Sequence, residues 1–257
     1  LKMSATLQLI ENQYVDTVDL QKLVEKSIRK TLETLDPHST YISAKNLKKV
    51  NEPLVGNFEG VGIQFNILRD TILVVQTISG GPSEKVGIMA GDKIIYIEDS
   101  LFAGVGVSNN DVIKNLRGKK GTQVEVMIKR AGERDLLDFH ITRDKIPLYS
   151  VDAAYMIDKT TGYIKVNRFA AKTTQEFIEA CEKLKAEGMK DLILDLQGNG
   201  GGYLNTAVTM ADQFLPDKSL IVYTEGENSP IQKMHASKKG VFEEGRLVVL
   251  VNEGSAS

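Results

Sequence analysis

Apolar residues near the start of the chain recur at helical spacing. Between Leu20 and Leu35 they fall at every third or fourth position, and Asp19 stands before them as an N-cap. Pro37 interrupts this pattern, because proline disfavours helical backbone in the residue before it. The pattern predicts a helix, a turn after Asp36, and a short second helix over residues 43–50.

Beyond Pro53 the pattern changes to short runs that are rich in β-branched residues and alternate in polarity. They predict strands at residues 62–67, 71–75, 93–98, 123–130 and 136–143. Pro82 suits the first turn of a short helix over residues 83–86, and Asn109–Leu116 has the spacing of an amphipathic helix. This stretch predicts a small β-rich domain.

Strands and helices alternate in the rest of the chain. The spacing predicts strands at 162–166, 191–196, 220–223 and 247–251, and helices at Thr173–Ala186 and 203–214. The run at 247–251 is apolar enough to be a buried strand, and the polar stretch 231–240, which contains His235, predicts a surface hairpin or loop. The alternation predicts an α/β layer.

Composition excludes several classes of protein. Hydrophobic residues make up 42% and charged residues 26%, as in ordinary globular proteins, and this composition argues against a collagen-like or disordered chain. A net charge of -2, from 32 basic and 34 acidic residues, gives no bulk attraction to nucleic acid. No run of about 18 apolar residues occurs, and the first ten residues lack the pattern of a signal peptide, so we expect any targeting segment to lie upstream.

Several common catalytic and metal-binding arrangements are absent from the sequence. Cys181 is the single cysteine, and the histidines His38, His140 and His235 are far apart and without metal-ligand spacing. Cys181 lies among apolar residues of a predicted helix, which favours a core position over a nucleophile. We therefore expect no metal and no cofactor.

The order of elements from Val55 to about Ile146 resembles a PDZ domain. The resemblance rests on the segments 58–63 (Phe-Glu-Gly-Val-Gly-Ile), 87–95 (Gly-Ile-Met-Ala-Gly-Asp-Lys-Ile-Ile) and 116–118 (Leu-Arg-Gly). A glycine-bearing loop lets successive N–H groups converge on a carboxylate, and the strand after it accepts a peptide as an added strand. The resemblance therefore implies that this domain binds carboxy-terminal tails of proteins or peptides.

Seven residues are candidates for holding such a tail. The carboxylate would lie on Val61, Gly62 and Ile63, and an apolar last side chain would lie against Ile63, Phe65, Ile113 and Leu116. Arg117 is a further candidate for the carboxylate, and a structural salt bridge is an equal alternative for it. Gly60 and Gly62 are also compatible with nothing more than a tight turn.

Residues 198–202 read Gly-Asn-Gly-Gly-Gly and stand between a predicted strand and a predicted helix. They lack the Gly-Lys-Ser/Thr ending of a phosphate loop. Glycines at a strand-to-helix turn expose N–H groups that stabilise the oxyanion of a tetrahedral intermediate. A plain tight turn is the commoner explanation of such a run by itself.

Taken in order, residues 35–42 (Leu-Asp-Pro-His-Ser-Thr-Tyr-Ile), the PDZ-like domain, residues 195–202 and the segment Gly-Ser-Ala-Ser at 254–257 resemble a carboxy-terminal processing protease. The resemblance implies a nucleophilic serine at Ser257, with Ser255 as the alternative register. It implies an oxyanion donor at Gly201 or Gly202, and a general-base lysine about two dozen residues beyond the serine, where this chain has none. Gln197 departs from the arginine that the family has at this position.

The resulting expectation is an α+β multidomain protein. Residues 1–54 would form a helical segment, 55–146 a PDZ domain of β-sandwich or barrel-like form, and 147–257 an incomplete crotonase- or Clp-protease-like α/β core. The resemblance implies a serine endopeptidase of the bacterial envelope or periplasm that cleaves proteins by their apolar tails, with the 257-residue fragment itself inactive. Hinges near Pro53 and Pro147 would let the PDZ domain gate the catalytic site. A non-catalytic PDZ scaffold and a self-associating regulatory subunit are the alternatives, and homo-oligomer formation is left open.

Overall fold

The computed structural model describes residues 2–237 and 239–256, apart from the side chains at positions 48 and 49. The chain divides into two compact units between Asn51 and Glu52. The chain up to Val55 is helical, with α1 (Lys2–Gln13), α2 (Leu20–Leu32) and α3 (Ala44–Val55). Asp19 caps α2 as predicted, since its carboxylate accepts the Lys22 N–H at 3.1 Å.

The predicted end of the second helix at residue 50 is wrong, because α3 continues through Pro53 to Val55, so the position at which a hinge was expected lies inside a helix. Proline removes one helical hydrogen bond, but the last turn is held from outside the helix. The Leu54 carbonyl accepts the Ala171 N–H at 2.8 Å, and the Glu52 side chain pairs with Arg117. Gly56, at φ +77°, then ends the helix in the left-handed conformation that glycine adopts without strain.

Residues 57–147 form a mainly antiparallel β domain with two helices. Its elements are β1 (Asn57–Gly60), β2 (Ile63–Ile67), β3 (Ile72–Thr77), α4 (Pro82–Lys85), β4 (Lys93–Ile97), β5 (Ser100–Leu101), α5 (Asn109–Leu116), β6 (Gln123–Lys129), β7 (Leu137–Thr142) and β8 (Asp144–Pro147). The main sheet has the order β2-β3-β4-β6-β7, with β5 beside β4. Val112 and Leu116 of α5 are buried in its core together with Ile72, Ile94 and Val126.

Sequence periodicity missed the pairing of β1 with β8, in which Asn57 lies opposite Pro147 and Gly60 opposite Asp144. The pairing joins the two ends of the β domain. The hinge expected near Pro147 consequently falls in a paired strand, and the next segment, residues 148–150, lies outside the strands and connects β8 to β9.

Residues 151–250 form the α/β core. Its elements are β9 (Val151–Met156), β10 (Thr161–Val166), α6 (Thr173–Ala186), β11 (Asp191–Asp195), α7 (Leu204–Ala211), β12 (Leu220–Gly226), β13 (Ser229–His235) and β14 (Leu247–Leu250). The sheet has the order β14-β11-β10-β9, in which β9 is antiparallel to β10 and the other pairs are parallel. Phe177, Cys181 and Leu184 of α6 are fully buried in the same apolar cluster as Ile164 and Leu192 of the sheet. The expected α+β class is confirmed.

Two surface elements complete this core. His235 ends the β12–β13 hairpin, as the polar stretch predicted. The strand predicted at residues 247–251 is present as β14, but the prediction that it is buried is wrong. β14 is the edge strand, and Val248 and Val251 are 51% and 63% exposed. Among the described residues, no helix is both long and apolar enough to cross a bilayer.

Candidate active site and peptide groove

A groove in the β domain lies between β2 and α5. All seven residues that the sequence nominated for tail binding line it, and so does Phe58, which the nomination missed: the lining is Phe58, Val61, Gly62, Ile63, Phe65, Ile113, Leu116 and Arg117. The period of two along β2 and of three to four along α5 brings these side chains to one place. The lining is mainly apolar, as binding of an apolar last side chain requires.

The loop at the end of this groove is anchored through its carbonyl groups. The Val61 carbonyl accepts the N–H and the hydroxyl of Ser83 at 3.0 and 2.7 Å, and the Gly62 carbonyl accepts the Ile78 N–H at 2.9 Å. Gly62 has φ +75°, and a Cβ there would lie 2.9 Å from Ile146 Cδ1. Glycine is therefore required at this position for both backbone conformation and space.

The N–H groups of Val61 and Gly62, unlike their carbonyl groups, make no hydrogen bond within the described residues. Both residues are nevertheless buried. Buried N–H groups in proteins are nearly always paired. Two unpaired neighbouring N–H groups beside an apolar groove form a site for an anionic oxygen, such as a terminal carboxylate.

Arg117 forms the salt bridge that the sequence left open as one of two alternatives, and it also lies at the groove. Its guanidinium forms an ion pair with Glu52 of α3 and lies 4.6 Å from the centroid of the Phe58 ring, while the residue also lines the groove. Its side chain remains 36% exposed. The salt bridge is therefore present, and it holds a positive charge beside the tail-binding loop.

The glycine loop, residues 198–202, begins after β11 and ends where Tyr203 caps α7. Gly202, at φ +154°, forms a bridge to Phe169, and a Cβ on it would collide with the Phe169 carbonyl. Any side chain at this position would push the loop away from the segment after β10. The close approach explains why the sequence has glycine at 202.

Of the two nominated oxyanion donors, one is already occupied. The Gly201 N–H donates to Asn199 Oδ1 at 2.8 Å, and Gly201 is buried. Gly202 is exposed, and its N–H has no partner among the described residues. The geometry therefore leaves Gly202 as the N–H that is free to bind an oxyanion.

The segment that leads to the nominated nucleophile lies directly beside this loop. The Ala256 N–H donates to the Asn199 carbonyl at 2.8 Å. The Ser255 hydroxyl donates to the Leu196 carbonyl at 2.8 Å and accepts the Asn252 N–H at 2.9 Å, so it serves as an anchor. Ser257 lies outside the described residues, and Gln197 is exposed, with its N–H on Asp195 Oδ1 at 2.8 Å.

Sequence reasoning missed a polar cluster at the end of β11. The Tyr163 hydroxyl donates to Asp195 Oδ2 at 2.5 Å, and the Lys165 ammonium lies 3.6 Å from the same oxygen. Asp195 is 3% exposed and is fixed at the base of the glycine loop. The one available signal was an aspartate at the end of an apolar strand, which by itself does not identify its partners.

The remaining reactive side chains lie away from these two places. Cys181 is buried in the core, and burial raises the pKa of its thiol to about 11. His38 is in the exposed turn after α2, and His140 is on β7. No group of three or more His, Cys, Asp or Glu side chains that could hold a metal ion occurs in the part of the chain that the structure describes.

Comparison with known families gives two matches along the chain. Residues 60–141 match the PDZ domain, and residues 160–257 match peptidase family S41. The PDZ match contains every lining residue of the groove except Phe58, and the S41 match contains the glycine loop. The domain boundaries expected at 54/55 and 146/147 stay predictions.

Curated relatives extend the match to the whole chain. The carboxy-terminal processing protease CtpA of Bacillus subtilis (strain 168) is 35% identical over 257 residues, which are 100% of this chain and 54% of that protein. The carboxy-terminal-processing protease of Bartonella bacilliformis is 34% identical over 253 residues, 96% of this chain and 57% of that protein. The chain thus spans about half the length of the curated relatives that it matches.

Among solved structures, the photosystem II D1 C-terminal processing protease matches with a TM-score of 0.46 and 25% identity, over 98% of this chain and 69% of that one. The family assignment rests on the sequence matches. The order of a PDZ domain and an S41 segment is the order predicted from the motifs, and the resemblance is confirmed: the chain carries a PDZ segment followed by a segment of peptidase family S41, and along its whole length it is similar to proteins named carboxy-terminal processing proteases.

Proposed function

We propose that the protein carrying this chain is a serine endopeptidase that captures apolar carboxy-terminal tails of protein substrates in its PDZ groove and cleaves the captured chain. The observation that carries the proposal is the free N–H of Gly202, in a loop hydrogen-bonded to the segment that ends at Ser257. An acyl-transfer site needs such a donor beside its nucleophile.

In this mechanism Ser257 attacks the scissile carbonyl, and the Gly202 N–H stabilises the negative charge that develops on its oxygen. Ser257 is favoured over Ser255, because the Ser255 hydroxyl is engaged with the Leu196 carbonyl and the Asn252 N–H. A neutral lysine would accept the serine proton, as the family resemblance implies. The resemblance implies a lysine about two dozen residues after Ser257. Without that general base, the 257-residue chain by itself is expected to bind tails and not to cleave them.

The groove supplies the recognition step. The unpaired N–H groups of Val61 and Gly62 and the positive charge of Arg117 favour a free carboxylate, and the apolar lining favours an apolar last side chain. The proposal includes a location in the bacterial cell envelope, because the resemblance to this family implies that location.

The test is cleavage of a fluorogenic peptide with a free apolar carboxy terminus by the protein expressed from its complete gene. Ser257→Ala should lower kcat by about a thousandfold or more, as loss of a nucleophile does. Ser255→Ala should keep measurable turnover, and amidation of the peptide should weaken its binding. Turnover that survives in Ser257→Ala would contradict the assignment, and tail binding without any turnover in the wild-type protein would establish the non-catalytic PDZ scaffold.

A further inference from the structure

Two asparagines join the glycine loop to the nucleophile loop, which is defined here as residues 252–256. Asn199 lies in the glycine loop and Asn252 lies at the start of the nucleophile loop. Their hydrogen bonds, together with those of Ser255, are called the asparagine seam below. The activity, as proposed above, assigns no role to either asparagine.

Asn199 is the buried half of the seam, with 2% of its surface exposed. Its side-chain amide donates to the Val166 carbonyl at 3.0 Å and accepts the Gly201 N–H at 2.8 Å. Its backbone carbonyl accepts the Ala256 N–H at 2.8 Å. One residue thus links the end of β10, the glycine loop and the residue next to Ser257.

Asn252 is the exposed half. Its Oδ1 accepts the Gly198 N–H at 2.8 Å, 54 residues away along the chain, and the Gly254 N–H at 3.0 Å. Gly254 and Gly198 are packed so closely that a Cβ on Gly254 would lie 3.1 Å from Gly198 Cα. The two loops are therefore in direct contact, and Asn252 fixes their separation.

The register of the sheet explains why the seam lies here. Strands β11 and β14 are parallel, with Asp195 opposite Leu250, so both loops leave the sheet at the same edge. Sheet pairing alone sets the loop positions only at their first residues. Beyond those residues, the Asn199 amide holds Gly201, the Asn252 amide holds Gly198 and Gly254, and the Asn199 backbone carbonyl holds Ala256.

We propose that Asn199 and Asn252 are positioning residues that hold the glycine loop, with its oxyanion donor Gly202, against residues 252–256, the segment that leads to the nominated nucleophile. Asn199 also directs the Gly201 N–H inward, which leaves Gly202 as the donor that faces the substrate. The inference rests on the proposed function. An oxyanion site has to be held to within about 0.5 Å, and a displacement of about 1 Å costs on the order of a hundredfold in rate.

The experiment measures kcat, KM, tail-peptide affinity and Tm for Asn199→Ala, Asn252→Ala and Asn252→Asp in the protein expressed from its complete gene. Asn205→Ala, at an exposed asparagine on α7, is the matched control. Both seam alanine variants should lose about 10- to 1000-fold in kcat with KM changed less than about threefold, because the seam acts in the transition state. The control should keep wild-type kcat.

Asn252→Asp is the conservative variant, because every hydrogen bond between the Asn252 side chain and the described residues uses its acceptor oxygen. It should recover most of the kcat that Asn252→Ala loses, which a merely structural effect of removing an exposed side chain would not show. Tail-peptide affinity should equal that of the wild type in all variants. If Asn199→Ala lowers Tm so far that it does not fold, the Asn252 pair decides the question.

The outcomes separate the two proposals. If the wild-type protein is active and the seam variants keep its kcat, the positioning role of Asn199 and Asn252 is refuted and the proposed function stands. A rise in KM with unchanged kcat also overturns the seam, since it would place the asparagines in ground-state binding. A wild-type protein that binds tails without turnover overturns the proposed function, and the seam with it.

Discussion

Asp195 illustrates how neighbouring groups decide the state of a single side chain. Burial by itself would raise the pKa of its carboxyl, but the hydrogen bonds from Tyr163 and the Gln197 N–H and the charge of Lys165 outweigh burial and lower it. The same hydrogen bond, aided by burial, raises the pKa of Tyr163 to about 12. At neutral pH the pair is therefore a carboxylate with a neutral phenol, at the base of the glycine loop.

Tyr163→Phe should destabilise the fold by about 2 kcal/mol at neutral pH, since it removes a hydrogen bond to a charged and buried acceptor. The pKa of Tyr163 is higher in the folded state than its ordinary value of 10.0, so its contribution is complete below pH 10 and is lost as pH rises through about 12. Urea unfolding at neutral pH and between pH 10 and 12 measures both effects. The gap between wild type and variant should close at the alkaline end.

Tyr223→Phe is the control for this measurement, because Tyr223 is 55% exposed on the β12–β13 hairpin. It should change the stability little at either pH. Equal losses in the two variants at neutral pH would contradict the assigned strength of the Tyr163–Asp195 bond.

Helix α6 shows what one element contributes to the core. Its buried residues Thr173, Phe177, Cys181 and Leu184 recur at intervals of three and four, so one face of the helix covers the sheet. This spacing is visible in the sequence, and the predicted helix Thr173–Ala186 is confirmed at both ends. Cys181 is the single thiol of the chain and lies in the middle of that face.

Cys181 should therefore report the opening of α6. Its thiol is fully buried and has a pKa of about 11, so little reactive thiolate exists at neutral pH. Alkylation of the native protein by iodoacetamide should be at least about a thousandfold slower than in urea, because the label reaches the thiol only on unfolding. The exposed neighbouring position 182, tested as Glu182→Cys with Cys181→Ala, should react at nearly the unfolded rate. Fast labelling of native Cys181 would show that the helix face is not packed.

At the scale of the whole molecule, the connection between the β domain and the α/β core is short. Residues 148–150 lead from β8 to β9, and Glu176 near the start of α6 holds the end of this linker. Its Oε2 accepts the N–H groups of Ser150 and Val151 at 2.7 and 3.1 Å. The linker is thereby fastened to the core, next to Tyr149, which is 62% exposed.

Glu176→Ala should release the linker and increase cleavage by chymotrypsin after Tyr149. A protease needs several residues of extended chain around the cleaved bond, which the hydrogen bonds to Glu176 withhold. Limited proteolysis followed by mass spectrometry of the fragments measures the rate. Glu179→Ala, one turn along the same helix on its exposed side, should cleave as the wild type does. Equal rates for all three proteins would mean that Glu176 does not restrain the linker.

Part of the fold is readable from local sequence, because α2 and α5 carry their own start signals in the N-caps Asp19 and Ser108. Ser108 and Asp111 form the capping box of α5, and the predicted range Asn109–Leu116 is confirmed at both ends. The groove is readable for a similar reason. Its residues come from one loop and strand and from one helix, whose periodicities place their side chains.

The features that only the tertiary structure decides are contacts between residues far apart along the chain. The β1–β8 pairing joins Gly60 to Asp144, and the exposure of β14 depends on its place at the edge of the sheet. No local pattern reports either, because periodicity describes one element and not its neighbours.

In the candidate catalytic site, too, some features can be predicted from the sequence and others depend on contacts between distant segments. The sequence shows glycines after a predicted strand and the segment Gly-Ser-Ala-Ser at 254–257, and the family resemblance nominates Gly201, Gly202, Ser255 and Ser257 from these two segments. Only the folded chain decides which glycine keeps a free N–H, because the amide of Asn199 takes the Gly201 N–H after β10, β11 and β14 have come together. Composition and spacing identify the chemistry that is available, and hydrogen bonds between distant segments select the atoms that are free to perform it.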